Sequence, residues 1–113
     1  VYLKQIVKNN INTTIYLNNK YSYDSKNKVL LNPNKVPIHF TNAELIIFDC
    51  LVQNINTFVS INELSELFQD KESMSVYTLR NKINYIRNKT YKEFIHSEKI
   101  LGYKVKNIIK DKR

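Results

Sequence analysis

Two four-residue stretches decide most of what this chain can fold into. "TNAE", from Thr41 to Glu44, and "SINE", from Ser60 to Glu63, each place a hydroxyl residue three positions before a glutamate. In that arrangement the hydroxyl accepts a hydrogen bond from a free amide near the glutamate, and the carboxylate bonds back to the amide of the capping residue. Each box precedes an apolar run at helical spacing, so together they mark two helix starts. Leu45, Phe48, Leu51, Val52 and Ile55 follow the first box, with Ile46, Ile47 and Cys50 widening the apolar face. A helix so apolar on most sides belongs at the centre of a fold, packed by both a sheet and neighbouring helices. Ile61, Leu64, Leu67 and Phe68 follow the second box along one side of a short helix.

A third helix is expected over about Ser73 to Asn88, with Val76, Leu79, Ile83 and Ile86 on its inward stripe. Its other side displays Tyr77, Thr78, Asn81, Asn84 and Tyr85, flanked by Arg80, Lys82 and Arg87. Such side chains can bond base edges while flanking cations hold phosphates. A merely solvated polar face would look the same on this helix alone. The order decides: a short helix, the tight connection "QDKES" and a longer helix with a hydrogen-bonding face is the order of a helix-turn-helix.

Upstream, short β-rich pieces at Ile15 to Leu17, Tyr21 to Tyr23, Val29 to Leu31 and Val36 to Phe40 are separated by turn residues. They predict a four-stranded antiparallel sheet built from hairpins, with Pro33 and Pro37 at turn or edge positions because proline cannot donate to a ladder. The first ten residues read as a short helix or as an extended linker. Downstream, "FIHSEKILGYKV" predicts a hairpin: Glu93 to Ser97, a turn near Glu98 and Lys99, then Leu101 to Val105. Gly102, the one glycine among 113 residues, marks a place where another backbone comes close. The expected neighbour is the third helix.

The formal charge of +8 attracts phosphate polymers ahead of anionic membranes, although a solvated basic surface accounts for it equally well. No apolar run approaches the ~18 residues of a membrane span. With a single cysteine, Cys50, neither an internal disulfide nor a multi-cysteine metal site can form, which suits a reducing cytoplasm. His39 and His96 stand near no carboxylate or cysteine at catalytic or metal-binding spacing, so neither an enzyme nor a cofactor is expected. The chain opens on Val1, as a fragment of something longer would.

From about Tyr21 to Val105 the chain resembles the effector domain of the OmpR/PhoB family of bacterial response regulators. "VPIHFTNAELIIFDCL" resembles that family's strand followed by Leu-Thr-x-x-Glu and an apolar helix, and "VSINELSELF" its second helix. "MSVYTLRNKI" resembles its recognition helix, and "IHSEKILGYKV" its wing. The resemblance implies an α+β fold: a winged helix-turn-helix with an N-terminal four-stranded antiparallel sheet, three helices and a C-terminal hairpin. Residues 1–12 would be a linker or the end of a receiver domain, 13–107 the winged helix, and 108–113 a basic tail.

By the same resemblance, Ser75, Tyr77 and Thr78 match the major-groove readers, Arg80 and Lys82 the phosphate contacts, Ser97 a backbone contact, and Lys99 the cation that reaches a minor groove. Asn81 joins them as a DNA-binding candidate because an asparagine can bond adenine at two points. The implied partner is double-stranded DNA, as AT-rich direct repeats bound by a head-to-tail homodimer in the cytoplasm, with an upstream receiver and RNA polymerase as further partners. Three departures qualify this. Tyr77 and Thr78 stand where many relatives carry arginine, which changes base preference; Glu98 opposes the wing cation; and "QDKES" is shorter than the loop that touches polymerase in relatives. The competing reading is a winged helix for protein contact with non-specific nucleic-acid affinity.

Overall fold

Hairpins without glycine build the first part of the fold. The computed structural model describes residues 14–68 and 75–106, and these fall into two units, one up to Ile38 and one from His39 onward. In the first, β1 (Thr14–Tyr16), β2 (Ser22–Asp24) and β3 (Val29–Leu31) pair antiparallel in the order β1-β2-β3, with Ile15 opposite Tyr23 and Tyr23 opposite Leu30. Leu17, Tyr23 and Leu30 are fully buried.

Side chains replace glycine in the turns. Asp24 Oδ1 accepts the amides of Lys26 and Asn27, and Asn32 Oδ1 accepts those of Asn34 and Val36. Lys28 and Lys35 then take left-handed backbone angles, φ 59° and 66°. Such a conformation costs a non-glycine residue about 1–2 kcal/mol, which the Asx bonds help offset.

The expected fourth strand, Val36 to Phe40, is reduced to one bridge between Leu31 and Pro37, flanked by bonds from Ile38 N to Leu30 O and from Asn32 N to Val36 O. Leu31 and Pro37 form a pair whose bonds are made by the flanking residues, so the missing Pro37 amide costs this bridge nothing. The described sheet therefore has three strands, and the first two expected segments are each displaced by one residue. The ambiguous first ten residues lie outside the described residues.

The described residues of the second unit form three α-helices. Both capping boxes form in full. At α1 (Asn42–Gln53), Thr41 Oγ1 accepts Glu44 N at 3.2 Å and Glu44 Oε1 accepts Thr41 N at 3.0 Å. At α2 (Ile61–Glu66), Ser60 and Glu63 make the same exchange at 3.1 and 2.9 Å. The buried stripe of α1 is Glu44, Ile47, Phe48, Leu51 and Val52; Ile46 faces outward, and Ile55 lies beyond the helix end. On α2 only Leu64 is fully buried, and Leu67 is 42% exposed.

α3 (Val76–Lys89) packs against both α1 and α2 through Leu79, Ile83 and Ile86, while Val76, expected on that stripe, is exposed in the first turn. The rings of Phe40, Phe48, Phe94 and Tyr91 form a chain with centroids 5.3–5.6 Å apart and tie α1 to the segment after α3.

Past α3, Lys92–Phe94 is a short 3-10 turn rather than the start of a strand. The hairpin is β4 (His96–Glu98) and β5 (Gly102–Lys104), with Ser97 opposite Tyr103, and its turn occupies residues 99–101. Gly102 does meet another backbone, but not that of α3. It has φ +113°, and a Cβ there would lie 2.0 Å from the Val59 carbonyl oxygen and 2.9 Å from Ser60 Cα. The neighbour is the segment leading into α2, because Tyr103 exchanges two backbone bonds with Val59, at 2.7 and 3.0 Å, and Asn56 N bonds Val105 O at 2.8 Å.

Candidate nucleic-acid interface

The outward side of α3 follows from helical geometry. At about 100° per residue, a stripe centred on Leu79, Ile83 and Ile86 puts Tyr77, Asn81, Asn84 and Asn88 opposite it. Tyr77 is 74% exposed, Tyr85, Asn84 and Asn88 are exposed, and Asn81 is half-buried. Arg80 lies on one flank of this face, whereas Lys82, two positions on, falls on the other side of the helix and nearer the buried stripe than the centre of the face.

Their settings differ. Arg80 is exposed and joins Ser97, Glu98, Lys99, Gly102, Tyr103 and Ile61 around an open cleft of about 310 Å³. Three predicted contact residues from two separate elements thus share one concavity. Lys82 is half-buried on the other side, where its charge acts on Glu44.

Ser75 and Thr78 serve the helix start. Ser75 Oγ accepts Thr78 N at 3.1 Å and donates to Thr78 Oγ1 at 3.0 Å, so the pair caps α3. The expected helix start at Ser73, and the connection "QDKES", lie outside the described residues.

Several cations have structural work that the sequence reading did not foresee. Arg87 donates from Nε and Nη2 to Ile95 O, at 3.2 and 2.6 Å, and so ties the end of α3 to the start of the hairpin. Lys89 Nζ bonds Glu44 Oε1 and His39 O. Lys104 Nζ sits 4.2 Å from the centre of the Phe58 ring, which orients it by cation–π attraction. Arg87 also lines, with Asn84, Asn88 and Lys92, a second cleft of about 290 Å³ at the far end of the same face. No local pattern announces these partnerships, since each joins residues from different elements.

His96 is held below its ordinary pKa by burial and then by Lys106, Lys104 and Arg87, against an opposing pull from Glu93. Burial pushes the Cys50 thiol up, aided by Glu63 and Asp49 and opposed by the bond from Asn54, and the net direction favours the neutral thiol. Among the described residues no cluster of histidine, cysteine and carboxylate could hold a metal, and no helix is long and apolar enough to cross a membrane.

Solved structures share this fold. The DNA-binding domain of CpxR from E. coli superposes with a TM-score of 0.67 at 15% identity, over 83% of this chain and 96% of that one. The fold is that of the OmpR/PhoB effector domains. DrrB, an OmpR/PhoB homologue from Thermotoga maritima, gives a TM-score of 0.71 at 18% identity over 93% of this chain, which spans about half (49%) of DrrB. The Klebsiella pneumoniae RstA DNA-binding domain, solved in complex with the RstA box, gives 0.67 at 13% identity over 82% of this chain and 96% of its own. No protein-family model and no curated protein matches the sequence. In OmpR/PhoB terms, α2 and α3 are the helix-turn-helix pair and β4–β5 the wing.

Proposed function

We propose that this chain binds double-stranded DNA in a sequence-specific manner as a transcription regulator, the effector part of a two-component response regulator. One juxtaposition carries the reading: Arg80 of α3 and Ser97 and Lys99 of the wing line one cleft beside a helix face that exposes Tyr77 and Asn84. A helix end that reaches base edges, with cations on its flank and at a hairpin tip, suits a major groove and the adjoining minor groove. Tyr77 and Thr78, with Asn81 further along, would read bases; Arg80, Lys82 and Ser97 would hold phosphates; and Lys99 would enter the minor groove, favouring AT-rich sites. Tandem direct repeats bound head to tail, an upstream receiver domain and a cytoplasmic setting complete the proposal. RNA polymerase contact would need a route other than the short "QDKES" loop.

The test is duplex affinity measured across a salt series. Log affinity should fall linearly with log salt, and Arg80→Ala and Lys99→Ala should each flatten the slope by roughly 0.9. Duplex selection from a random pool should return direct repeats. If both slopes stayed at the unaltered protein's value, the cleft would not be where phosphates lie, and the protein-contact reading would take its place.

A further inference from the structure

The turn of the wing is built of residues that turns do not favour. Glycine, proline, asparagine and aspartate usually occupy such positions, because they reach the required angles and keep a tip wet. Here residues 99–101 are Lys99, Ile100 and Leu101, and Ile100 is 92% exposed, more than any other large hydrophobic residue in the described chain. Leu101 beside it is 52% exposed. Their support is firm: β4 and β5 pair up to Glu98 and Gly102, Tyr103 exchanges bonds with Val59, and Arg87 holds Ile95. An apolar side chain is thus presented to solvent on an anchored stem.

We infer that Ile100 is a wedge that enters the minor groove of a DNA duplex beside the Lys99 ammonium and parts the base step it meets. The inference deepens the duplex-binding reading and rests on it. Charge selects the occupant, because the tip stands on a cationic stem. Lys99, Lys104 and Lys106 outweigh Glu98 along the hairpin, and Arg80 shares the cleft at its base. Isoleucine is among the side chains that minor-groove proteins insert between bases, and insertion kinks the duplex toward the major groove. The favoured target is a pyrimidine–purine step, TA or CA, which unstacks most easily. Lys99 supplies attraction to the groove, and Ile100 supplies the deformation.

The test uses the full chain and duplexes recovered from a random pool, remade with 2-aminopurine at each pyrimidine–purine step. Binding should brighten the probe at one step and bend the duplex, read as altered end-to-end energy transfer. Ile100→Ala and Ile100→Ser should abolish both signals and weaken binding about tenfold, with the salt slope unchanged. Lys99→Ala should instead flatten the slope. Because Ile100 is almost wholly exposed, thermal melting should be the same in both Ile100 variants. Bases that stay stacked under the unaltered protein, or signals that survive Ile100→Ser, overturn the wedge and assign the tip to a protein contact, while duplex binding itself would stand. A chain that binds no duplex at all removes both readings.

Discussion

The Lys89 ammonium lies 2.5 Å from the Glu44 carboxylate, a group only 3% exposed, and joins the last turn of α3 to the first turn of α1. Glu44 therefore has two jobs, since the same oxygen accepts the Thr41 amide that completes the capping box. Lys89→Met would leave a buried carboxylate with its cap bond and only the charge of Lys82 to favour it. Breaking a buried pair costs about 3–5 kcal/mol; the Lys89 side chain is 35% exposed, which points to the lower end or just below, about 2–3 kcal/mol. Urea unfolding should show that loss for the single variant and a smaller one for the double variant with Glu44→Gln, because the orphaned charge is then removed.

Acid should destabilise the fold through the same carboxylate. Burial alone would raise the Glu44 pKa, but the bonds from Lys89 and Thr41 and the charges of Lys89 and Lys82 outweigh it, and the net direction is down. A depressed carboxylate contributes stability that is complete above its unfolded value and lost as pH falls through the folded one. His96 acts in the same sense at higher pH: its folded pKa is lowered, so the unfolded chain takes up the proton first and stability begins to fall below about 6.5. Unfolding free energies from pH 7 to pH 3 should decline in two stages, with Glu44→Gln removing part of the lower and His96→Gln part of the upper.

Gly102→Ala should be the most damaging single-methyl change in the described chain. The new carbon would sit 2.0 Å from the Val59 carbonyl oxygen, a backbone atom that cannot swing aside, at a φ that disfavours any side chain. A loss of about 3 kcal/mol or more is expected. Amide exchange at Val59 and Tyr103 should quicken in any variant that still folds.

Arg87 and Arg80 carry the same charge on one helix, but substitution should separate them. Arg87→Ala frees the Ile95 carbonyl and should cost about 1–2 kcal/mol of folding stability while leaving the salt slope of duplex binding nearly intact. Arg80→Ala should do the reverse. A melting curve and a salt titration on each variant check both halves.

What could be read in advance was local. The two capping boxes form as expected because every participant lies within three residues of its partner. Ser75 was missed as a cap because Thr78, three residues on, is not the acid that completes the pattern. Gly102 was legible as a close approach but not as an approach to Val59, since nothing between the two residues encodes their meeting. The strand that hydropathy drew from Val36 to Phe40 pairs only around Pro37. Ile100 was passed over because the turn, expected near Glu98 and Lys99, in fact runs over residues 99–101 and carries Ile100 at its tip. Of the candidate interface, the residue types on α3 were readable, but the shared cleft of Arg80, Ser97 and Lys99 required the fold.

The hairpin is stitched on both legs, by Arg87 to Ile95 on the way up and by Val59 to Tyr103 and Asn56 to Val105 on the way down. It consequently behaves as a caliper arm of set length, not a flap. Under the duplex-binding proposal, the spacing along the duplex between what α3 and what residues 99–101 would touch is set by these anchors, and inserting one residue at the tip would lengthen the arm without moving them.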